Sequence, residues 1–409
     1  MISSILLALG LLTASSSPIA DDLILSNTEL VSPAKPDSGE PRLLEGADGV
    51  LYLSWIESEE KESDGELARL CFSRFDESSN TWSPSKTIAS GSDWFVNWAD
   101  TPALCVLPDG TLAAHWLRRT GEETFAYEIR YSLSTTGGEE WSEPQRLHDD
   151  DQLAEHGFVS WVSLGDRFGV IWLGGPPIGE SGGRFSLLFR EISREGQRLP
   201  EVALDTDTCT CCPTSLLRTE ASELWAVYRD RSEAEVRDIY FVRRTSEGWS
   251  SPRAVYDDGW VMPGCPVNGP VLAGSGSSVA VAWYTGAGTD GGRVNLAFSE
   301  GSGFGFPRRV DAGTPEGRPH LALLESGAAV VVWLEVESTT AEWRLLRVPA
   351  AKAPADSDLA SQSATIVRVP HSRSSGFAQL AARKSGLVFA WTDPGGSPQV
   401  RTALLQLRE

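Results

Sequence analysis

Apolar and polar residues alternate along most of this chain, and the alternation is grouped into a unit that recurs. Each copy has an apolar stretch, a turn and a second apolar stretch that closes on an aromatic residue, as in Thr101–Trp116 and Arg318–Trp333. The closing aromatics are Trp55, Trp116, Trp172, Tyr228, Trp283, Trp333 and Trp391. No segment shows a sustained period of 3.6, so the pattern predicts antiparallel strands throughout.

The repeat is about 50 to 60 residues long and consists of short strands and turns, which is typical of a β-propeller. A third strand such as Tyr127–Ser132 follows each aromatic, and a fourth begins with an aromatic and a proline, as in Trp82-Ser-Pro84. We therefore expect an all-β propeller of seven four-stranded blades, or six if one repeat is degenerate. The last repeat lacks a strand, which Leu23–Pro33 is expected to supply. Pairing this N-terminal strand with the C-terminal blade would close the ring and hide both sheet edges.

The two ends of the chain differ in character. Residues 1–20 hold the apolar run Ile5–Leu12 followed by small residues up to Ala20, which predicts a signal peptide. Residues 21–409 are expected to form one propeller domain, with Pro349–Asp358 as a surface insertion. No later apolar run approaches the roughly 18 residues that span a bilayer. We expect an exported protein, periplasmic or secreted, and a monomer because a closed ring leaves no free sheet edge.

The formal net charge is −21, from 35 basic and 56 acidic residues. Such a charge repels nucleic acid and anionic membranes, so we expect neither as a partner. An acidic saccharide would also be repelled on average. Its binding would therefore need a local group of arginines.

Propeller geometry places the loop before the first strand and the loop after the second strand of each repeat on one face, around the channel. The polar segments on this face are Asn97–Asp100, Glu155–Gly157, Cys209–Pro213, Gly264–Asn268, Gly317–His320 and Tyr228–Ser232. We therefore expect the functional site at this mouth of the channel.

Four of the six cysteines gather there, namely Cys209, Cys211, Cys212 and Cys265. They predict disulfides that join two adjacent repeats, with Cys212–Cys265 plus Cys209–Cys211, or Cys209–Cys265 with two free thiols, among the pairings left open. The same thiolates would suit Cu(I) or Zn(II), with His156 or His320 as a nitrogen ligand. Cys71 and Cys105 lie within strand patterns and are expected to be small core residues.

The Arg229-Asp230-Arg231 loop should overhang the cysteines. Its guanidinium groups are suited to a carboxylate, or they pair internally with aspartates to hold the loop. Trp98 is placed to stack on a sugar ring or to plug the channel mouth.

Two turns carry a family signature. Ser134–Trp141 resembles the Asp-box, or bacterial neuraminidase repeat, Ser-x-Asp-x-Gly-x-Thr-Trp, with Thr136 in the Asp position. Ser299–Phe306 is a second degenerate copy. The chain resembles the sialidase-like propellers, in the branch that has Cys-x-Cys-Cys, Arg-Asp-Arg-Ser and Gly-Cys-Pro-Val-Asn-Gly-Pro segments.

That resemblance implies an exo-sialidase type of glycoside hydrolase, or a binder of acidic glycans. The implied substrate-binding residues are Arg229, Arg231, Arg318, Arg42, Trp98 and Asn268, and the implied general acid is Asp100 or Asp230. No tyrosine has an evident glutamate partner in the sequence, so the nucleophile stays unassigned. Two alternatives stay open: a non-hydrolytic copper, zinc or redox protein that uses the four cysteines, and a scaffold that binds partner proteins.

Overall fold

The computed structural model describes residues 23–61, 65–180, 183–288, 291–350 and 359–408. The predicted signal peptide and most of the predicted insertion at 349–358 lie outside these ranges. Within them the chain is built from strands, with two short 3-10 turns at Leu359–Gln362 and Arg373–Ser375. No helix in the described ranges is long and apolar enough to cross a membrane.

The first half of the chain forms fourteen strands. They are β1 (Ile24–Leu30), β2 (Ser38–Glu45), β3 (Leu51–Lys61), β4 (Gly65–Asp76), β5 (Thr81–Trp82), β6 (Lys86–Gly91), β7 (Leu104–Val106), β8 (Leu112–Arg119), β9 (Tyr127–Ser134), β10 (Gln145–Arg146), β11 (Ala154–Ser163), β12 (Arg167–Pro177), β13 (Phe185–Ser193) and β14 (Val202–Thr208).

The second half continues in the same style. Its strands are β15 (Ser215–Arg218), β16 (Leu224–Arg229), β17 (Ile239–Thr245), β18 (Gly248–Trp249), β19 (Arg253–Ala254), β20 (Val271–Ser275), β21 (Ser278–Thr285), β22 (Arg293–Glu300), β23 (Gly303–Phe304), β24 (Arg308–Arg309), β25 (Pro315–Leu323), β26 (Ala329–Glu337), β27 (Thr340–Val348), β28 (Ala364–Pro370), β29 (Gln379–Arg383), β30 (Gly386–Asp393) and β31 (Gln399–Leu407).

The all-β prediction is confirmed, but the prediction of seven separate four-stranded blades is wrong. The described strands form six hydrogen-bonded sheets, and only two of these have four strands. Three sheets have five strands, because the predicted fourth strand is broken into two short pieces that pair separately with the third. The remaining sheet is eight-stranded, because β9 pairs in parallel with β11 through Tyr127 and Glu155 and so joins two repeats.

The predicted ring closure is confirmed. Strand β1 pairs antiparallel with β31, from Ile24 opposite Leu407 to Leu30 opposite Thr402. The innermost strands contact one another in chain order, and the last contacts the first. They are β2, β7, β11, β15, β20, β25 and β29. Pairing β1 with β31 gives the last sheet its outer strand and satisfies backbone groups that an open edge would leave unpaired.

The recurring aromatics lie in the second strand of each repeat and form the core between neighbouring sheets. Trp55, Trp172 and Tyr228 are completely buried, as are Trp283 and Trp333. Period-2 alternation points these side chains into the space between sheets, where each aromatic removes a large apolar area from water. The repeat read from the sequence is therefore the packing unit of the fold.

The degenerate Asp-box at Ser134–Trp141 keeps its turn without the aspartate. The Thr136 hydroxyl accepts a hydrogen bond from the Glu140 amide at 2.9 Å, and the Ser134 hydroxyl accepts one from the Gly138 amide at 2.9 Å. Trp141 packs edge-on against Phe72 of the preceding sheet. The threonine thus supplies the acceptor that the family pattern assigns to aspartate.

Candidate functional site

The innermost strands begin, and the second strands end, on one face of the ring, which we call the channel face. The loops before β15 and β20 lie next to each other on this face, and the disulfide Cys211–Cys265 joins them. We call this junction the seam. Neither pairing considered from the sequence is the observed one, because Cys209 and Cys212 point into the protein while Cys211 and Cys265 point toward solvent.

Cys209 and Cys212 are free thiols buried beneath the disulfide. Their sulfur atoms are 3.3 Å apart, and the Cys209 sulfur is 4.0 Å from that of Cys211. Since Cys211 and Cys265 are bonded to each other, a metal ion would find only two free thiols in this quartet. The copper or zinc site therefore stays a prediction. Cys71 and Cys105 are buried core thiols, as predicted.

The two buried thiols differ in acidity. The hydrogen bond from Cys212, together with the charges of Arg229 and Arg237, lowers the pKa of Cys209 to about 6. Arg237 also donates a hydrogen bond from Nη1 to the Cys209 sulfur, at 3.2 Å. Burial raises the pKa of Cys212 well above its usual value. At neutral pH the pair therefore holds one thiolate and one thiol, and the thiol is the hydrogen-bond donor.

Arg229 at the end of β16 donates four hydrogen bonds to backbone carbonyls. Its Nε and Nη2 donate to the Asn268 carbonyl at 2.9 and 2.7 Å, and Nη2 also donates to the Tyr284 carbonyl at 2.7 Å. Nη1 donates to the Arg237 carbonyl, and the guanidinium lies 4.9 Å from the centre of the Trp260 ring. Arg229 is thus a buried joint between three chain segments, and four of its five N–H groups are already used by backbone carbonyls.

Asn268 and Arg318 continue this joint into the next repeat. The Asn268 side-chain oxygen accepts from the Arg318 amide at 2.6 Å, and its nitrogen donates to the Glu316 carbonyl at 3.1 Å. The Arg318 guanidinium pairs with Glu316 and lies 4.6 Å from the centre of the Trp98 ring. Trp98 stacks on Phe377 with ring centres 6.0 Å apart, and both of its predicted roles stay predictions.

Ion pairs within the protein hold the Arg229-Asp230-Arg231 loop, as one of the two interpretations predicts. The acidic partner is Glu235 and not an aspartate. Glu235 accepts from both Arg231 and Arg237, each with an atom at 2.6 Å. Burial and the neighbouring Asp205 raise the pKa of Asp230 to about 7. The predicted ligand-binding pair Arg229 and Arg231 is thus committed to the protein itself.

The channel itself holds a differently placed arginine. Arg42 of β2 borders a cavity of about 330 Å³ that is lined by the innermost strands. Its guanidinium forms no hydrogen bond or ion pair with any of the described residues. Burial lowers the pKa of Arg42, and the Asp100 carboxyl raises it by a smaller amount. His320 lines the same cavity; its Nδ1 accepts from the Leu380 amide at 3.1 Å, and burial lowers its pKa to about 3.

Asp100 stands at the top of this channel and is almost completely buried. One carboxyl oxygen accepts from the Phe158 amide at 2.7 Å, and the other has no partner among the described residues. Burial raises its pKa to about 8. Gly157 makes this position possible, because a Cβ atom there would come within 1.9 Å of the unpartnered oxygen.

A tyrosine–glutamate pair lies beside Asp100. The Tyr127 hydroxyl donates to Glu155 at 2.8 Å, and burial raises the pKa of Glu155 to about 7. Tyr127 is buried under Phe95, with ring centres 4.1 Å apart, and burial raises its pKa well above the usual value. The sequence did not reveal this pair, because it depends on the parallel pairing of β9 with β11.

His156 belongs to a second cluster that the sequence did not predict. The Asp150 carboxylate contacts Nδ1 of His148 at 3.2 Å and Nε2 of His156 at 2.9 Å, and the two rings stack 3.7 Å apart. Partial burial alone would raise the pKa of the Asp150 carboxyl, but the hydrogen bonds to the two histidines lower it. One ligand atom from each of these three residues lies within 4.8 Å of the other two, so the predicted role of His156 as a metal ligand stays a prediction.

Comparisons with known proteins agree with this architecture. A family model described as a BNR repeat-like domain matches residues 49–246. No curated protein matches the sequence. A Dyadobacter fermentans protein of unknown function has a similar structure, with 13% identity, a TM-score of 0.50, and coverage of 94% of this chain and 99% of that one.

Two further solved structures of similar fold contain a bound saccharide. An ulvan lyase bound to GlcA(1-4)Rha3S shares 10% identity, with a TM-score of 0.53 and coverage of 96% of this chain and 97% of that one. A Penicillium chrysogenum α-L-arabinanase complexed with arabinobiose shares 9% identity, with a TM-score of 0.50 and coverage of 92% and 98%. At these identities the likeness shows a common fold.

Proposed function

We propose that this chain, of which residues 49–246 match a BNR repeat-like family model, recognises a carboxylate-bearing saccharide in the central channel. Arg42 is the residue that meets the carboxylate. The observation that carries this proposal is the enclosed Arg42 guanidinium, which has no partner among the described residues and borders a cavity.

The charge balance of the channel supports an anionic ligand. With a pKa of about 8, the Asp100 carboxyl is mostly protonated at neutral pH. A protonated Asp100 carries no negative charge and so does not act as a counter-ion to Arg42. Arg42 is half-buried beside the cavity, and a carboxylate that enters the cavity would give its guanidinium a charge-assisted hydrogen bond.

The size and lining of the cavity suit a small ligand. Its volume of about 330 Å³ is at the lower end of the range of ligand pockets, which fits one sugar residue better than a chain. Its wall combines aliphatic side chains with polar ones, among them Thr101, Ser215, Gln379 and the Glu45 carboxyl, which pairs with Arg383. The GlcA unit bound by the ulvan lyase of similar fold is a sugar of this acidic class.

The three-arginine grip that the resemblance implies is not part of this proposal. Arg229 donates four of its five N–H groups to backbone carbonyls, Arg231 is paired with Glu235, and Arg318 is paired with Glu316. Recognition through Arg42 alone needs no rearrangement of these contacts.

Calorimetric titration of the full chain with glucuronate and with N-acetylneuraminate tests the proposal. We expect binding that weakens at least tenfold in Arg42→Gln, since a charge-assisted hydrogen bond contributes about 1.5–3 kcal/mol. Arg401→Gln, which removes an exposed arginine paired with Glu29, is the matched control and should bind like the wild type. Absence of binding by the wild type, or equal binding by Arg42→Gln, would overturn the proposal.

Hydrolysis of the bound saccharide is a second candidate, favoured by the hydrogen bond from Tyr127 to Glu155 beside Asp100. This set matches the residue types that the resemblance implies, with Asp100 as the protonated acid. The test is release of sugar from a fluorogenic sialoside or glucuronide. Turnover that disappears in Tyr127→Phe and Asp100→Asn supports hydrolysis, whereas binding without turnover restricts the function to recognition.

A further inference from the structure

We propose that the four cysteines of the seam form a thiol–disulfide relay, in which the buried pair Cys209 and Cys212 exchanges with the disulfide Cys211–Cys265. This activity is independent of saccharide recognition in the channel. In this relay, thiols in solution exchange with the exposed Cys265 and so reach the buried pair.

The distances bring every reacting sulfur within a short movement of its partner. Cys209 lies 4.0 Å from the disulfide sulfur of Cys211 and 3.3 Å from Cys212. A disulfide bond is about 2.05 Å long, so exchange requires side-chain movements of about 1–2 Å. Cys209 and Cys212 also have the Cys-x-x-Cys spacing that closes readily into a disulfide.

The first step is attack of the Cys209 thiolate on Cys211. The Cys209–Cys211 bond forms, the Cys211–Cys265 bond breaks, and Cys265 leaves as a thiolate. In the second step Cys212 gives its proton to water and attacks Cys209. The Cys209–Cys212 bond forms, and Cys211 leaves as a thiolate that takes up a proton. One disulfide and two thiols are present throughout, so the internal exchange needs no oxidant or reductant.

The surroundings of Cys209 favour the first step. Arg237 donates to its sulfur at 3.2 Å, and Glu235 fixes Arg237 through the hydrogen bond from Nη2 at 2.6 Å. The titratable and charged groups that face Cys209 are Cys212, Arg229, Arg237 and the carboxyl of Glu155. The two guanidinium groups and the thiol donor stabilise the Cys209 thiolate, whereas the Glu155 carboxyl destabilises it. Burial raises the pKa of Glu155 to about 7, so this carboxyl is only partly charged and the thiolate is the favoured form at neutral pH.

The exposure pattern gives the relay a direction. Cys209 and Cys212 are completely buried, Cys211 is half-buried, and Cys265 is exposed. A purely structural disulfide needs no pair of thiols held against it. Here the leaving group of the first step is the one sulfur that solvent reaches freely.

Trapping with N-ethylmaleimide, without any added reductant, tests the proposal. In the native full chain at pH 7 we expect time-dependent alkylation of Cys265, read by peptide mass spectrometry, together with a new disulfide between Cys209 and Cys211 or Cys212. The rate should not change over a tenfold range of protein concentration, because the exchange is intramolecular. An intact Cys211–Cys265 bond after prolonged exposure, or alkylation of Cys209 alone, would overturn the relay.

Three variants separate chemistry from folding. Cys209→Ser should abolish alkylation of Cys265, and Cys71→Ser, which removes a buried free thiol outside the seam, should not change it. Arg237→Gln keeps all cysteines and should slow alkylation at pH 7 by up to about 30-fold, the loss expected if the thiol returns to its unperturbed acidity. At pH 9 most of that loss should be recovered. An equal loss at both pH values would assign Arg237 a structural role only and would contradict the proposed activation.

Discussion

Two enclosed arginines on the channel face, Arg229 and Arg42, have opposite surroundings. Arg229 donates to the carbonyls of Asn268, Tyr284 and Arg237 and packs on an aromatic ring, so four of its five N–H groups are used within the seam. Arg42 forms no such contacts among the described residues and faces a cavity. The contrast teaches that the presence of an arginine near a channel does not identify a ligand site; the decisive property is whether its donors are already used.

The largest expected effect is on the seam. Arg229→Met should lower the free energy of unfolding by about 3–5 kcal/mol, because it leaves the carbonyls of Asn268, Tyr284 and Arg237 without this donor. Chemical denaturation checks this, with Arg401→Gln as the exposed control that should change stability by less than about 1 kcal/mol. A loss no larger than that of the control would remove the distinction between a structural and a ligand-facing arginine.

The disulfide of the seam comes next. Cys265→Ser should cost about 2–4 kcal/mol, because the bond closes a loop across a sequence separation of 54 residues and restricts the unfolded chain. The measurement is denaturation with and without dithiothreitol. In reductant the wild type should lose the same amount and the variant nothing, and a difference between them that persists in reductant would point to a packing effect instead.

The Asp100 carboxyl provides a pH-dependent test of the channel. Burial raises its pKa to about 8, above its unfolded value, so the native state holds this proton more tightly. Its contribution to stability is fully present below about pH 4 and is lost as the pH rises through about 8. Asp100→Asn should remove a slope of at most about 1.4 kcal/mol per pH unit between those limits. Unfolding curves of equal slope for the variant and the wild type would show that Asp100 is ionised in the native state.

The smallest effect has the opposite sign. Arg42→Met should leave the ligand-free protein unchanged or stabilise it by about 1 kcal/mol, because it replaces an enclosed, uncompensated charge with an apolar side chain. Thermal unfolding should therefore rank Arg42→Met at or above the wild type and Arg229→Met far below. A clear destabilisation by Arg42→Met would mean that Arg42, like Arg229, is part of the framework.

Sequence reasoning located the channel face but misjudged the use of several residues on it. It placed Cys209, Arg229 and Asn268 together, because the repeat shows which loops share a face. It did not show that most donors of Arg229 are already used, since their acceptors are backbone carbonyls that belong to no motif. It also missed Tyr127 with Glu155, since these residues meet only through the parallel pairing of two repeats.

The sequence by itself determined the all-β repeat, the closure of β1 on β31 and the face on which the polar loops gather. These follow from period-2 alternation and from the spacing of Trp55 and its equivalents, which are local properties of the chain. The sequence does not reveal that two repeats merge into one sheet, that Cys211 rather than Cys209 or Cys212 bonds to Cys265, or that Arg42 has no hydrogen-bond partner among the described residues. Each of these depends on distances of a few ångströms between segments far apart in the chain, and residue type and spacing do not fix such distances.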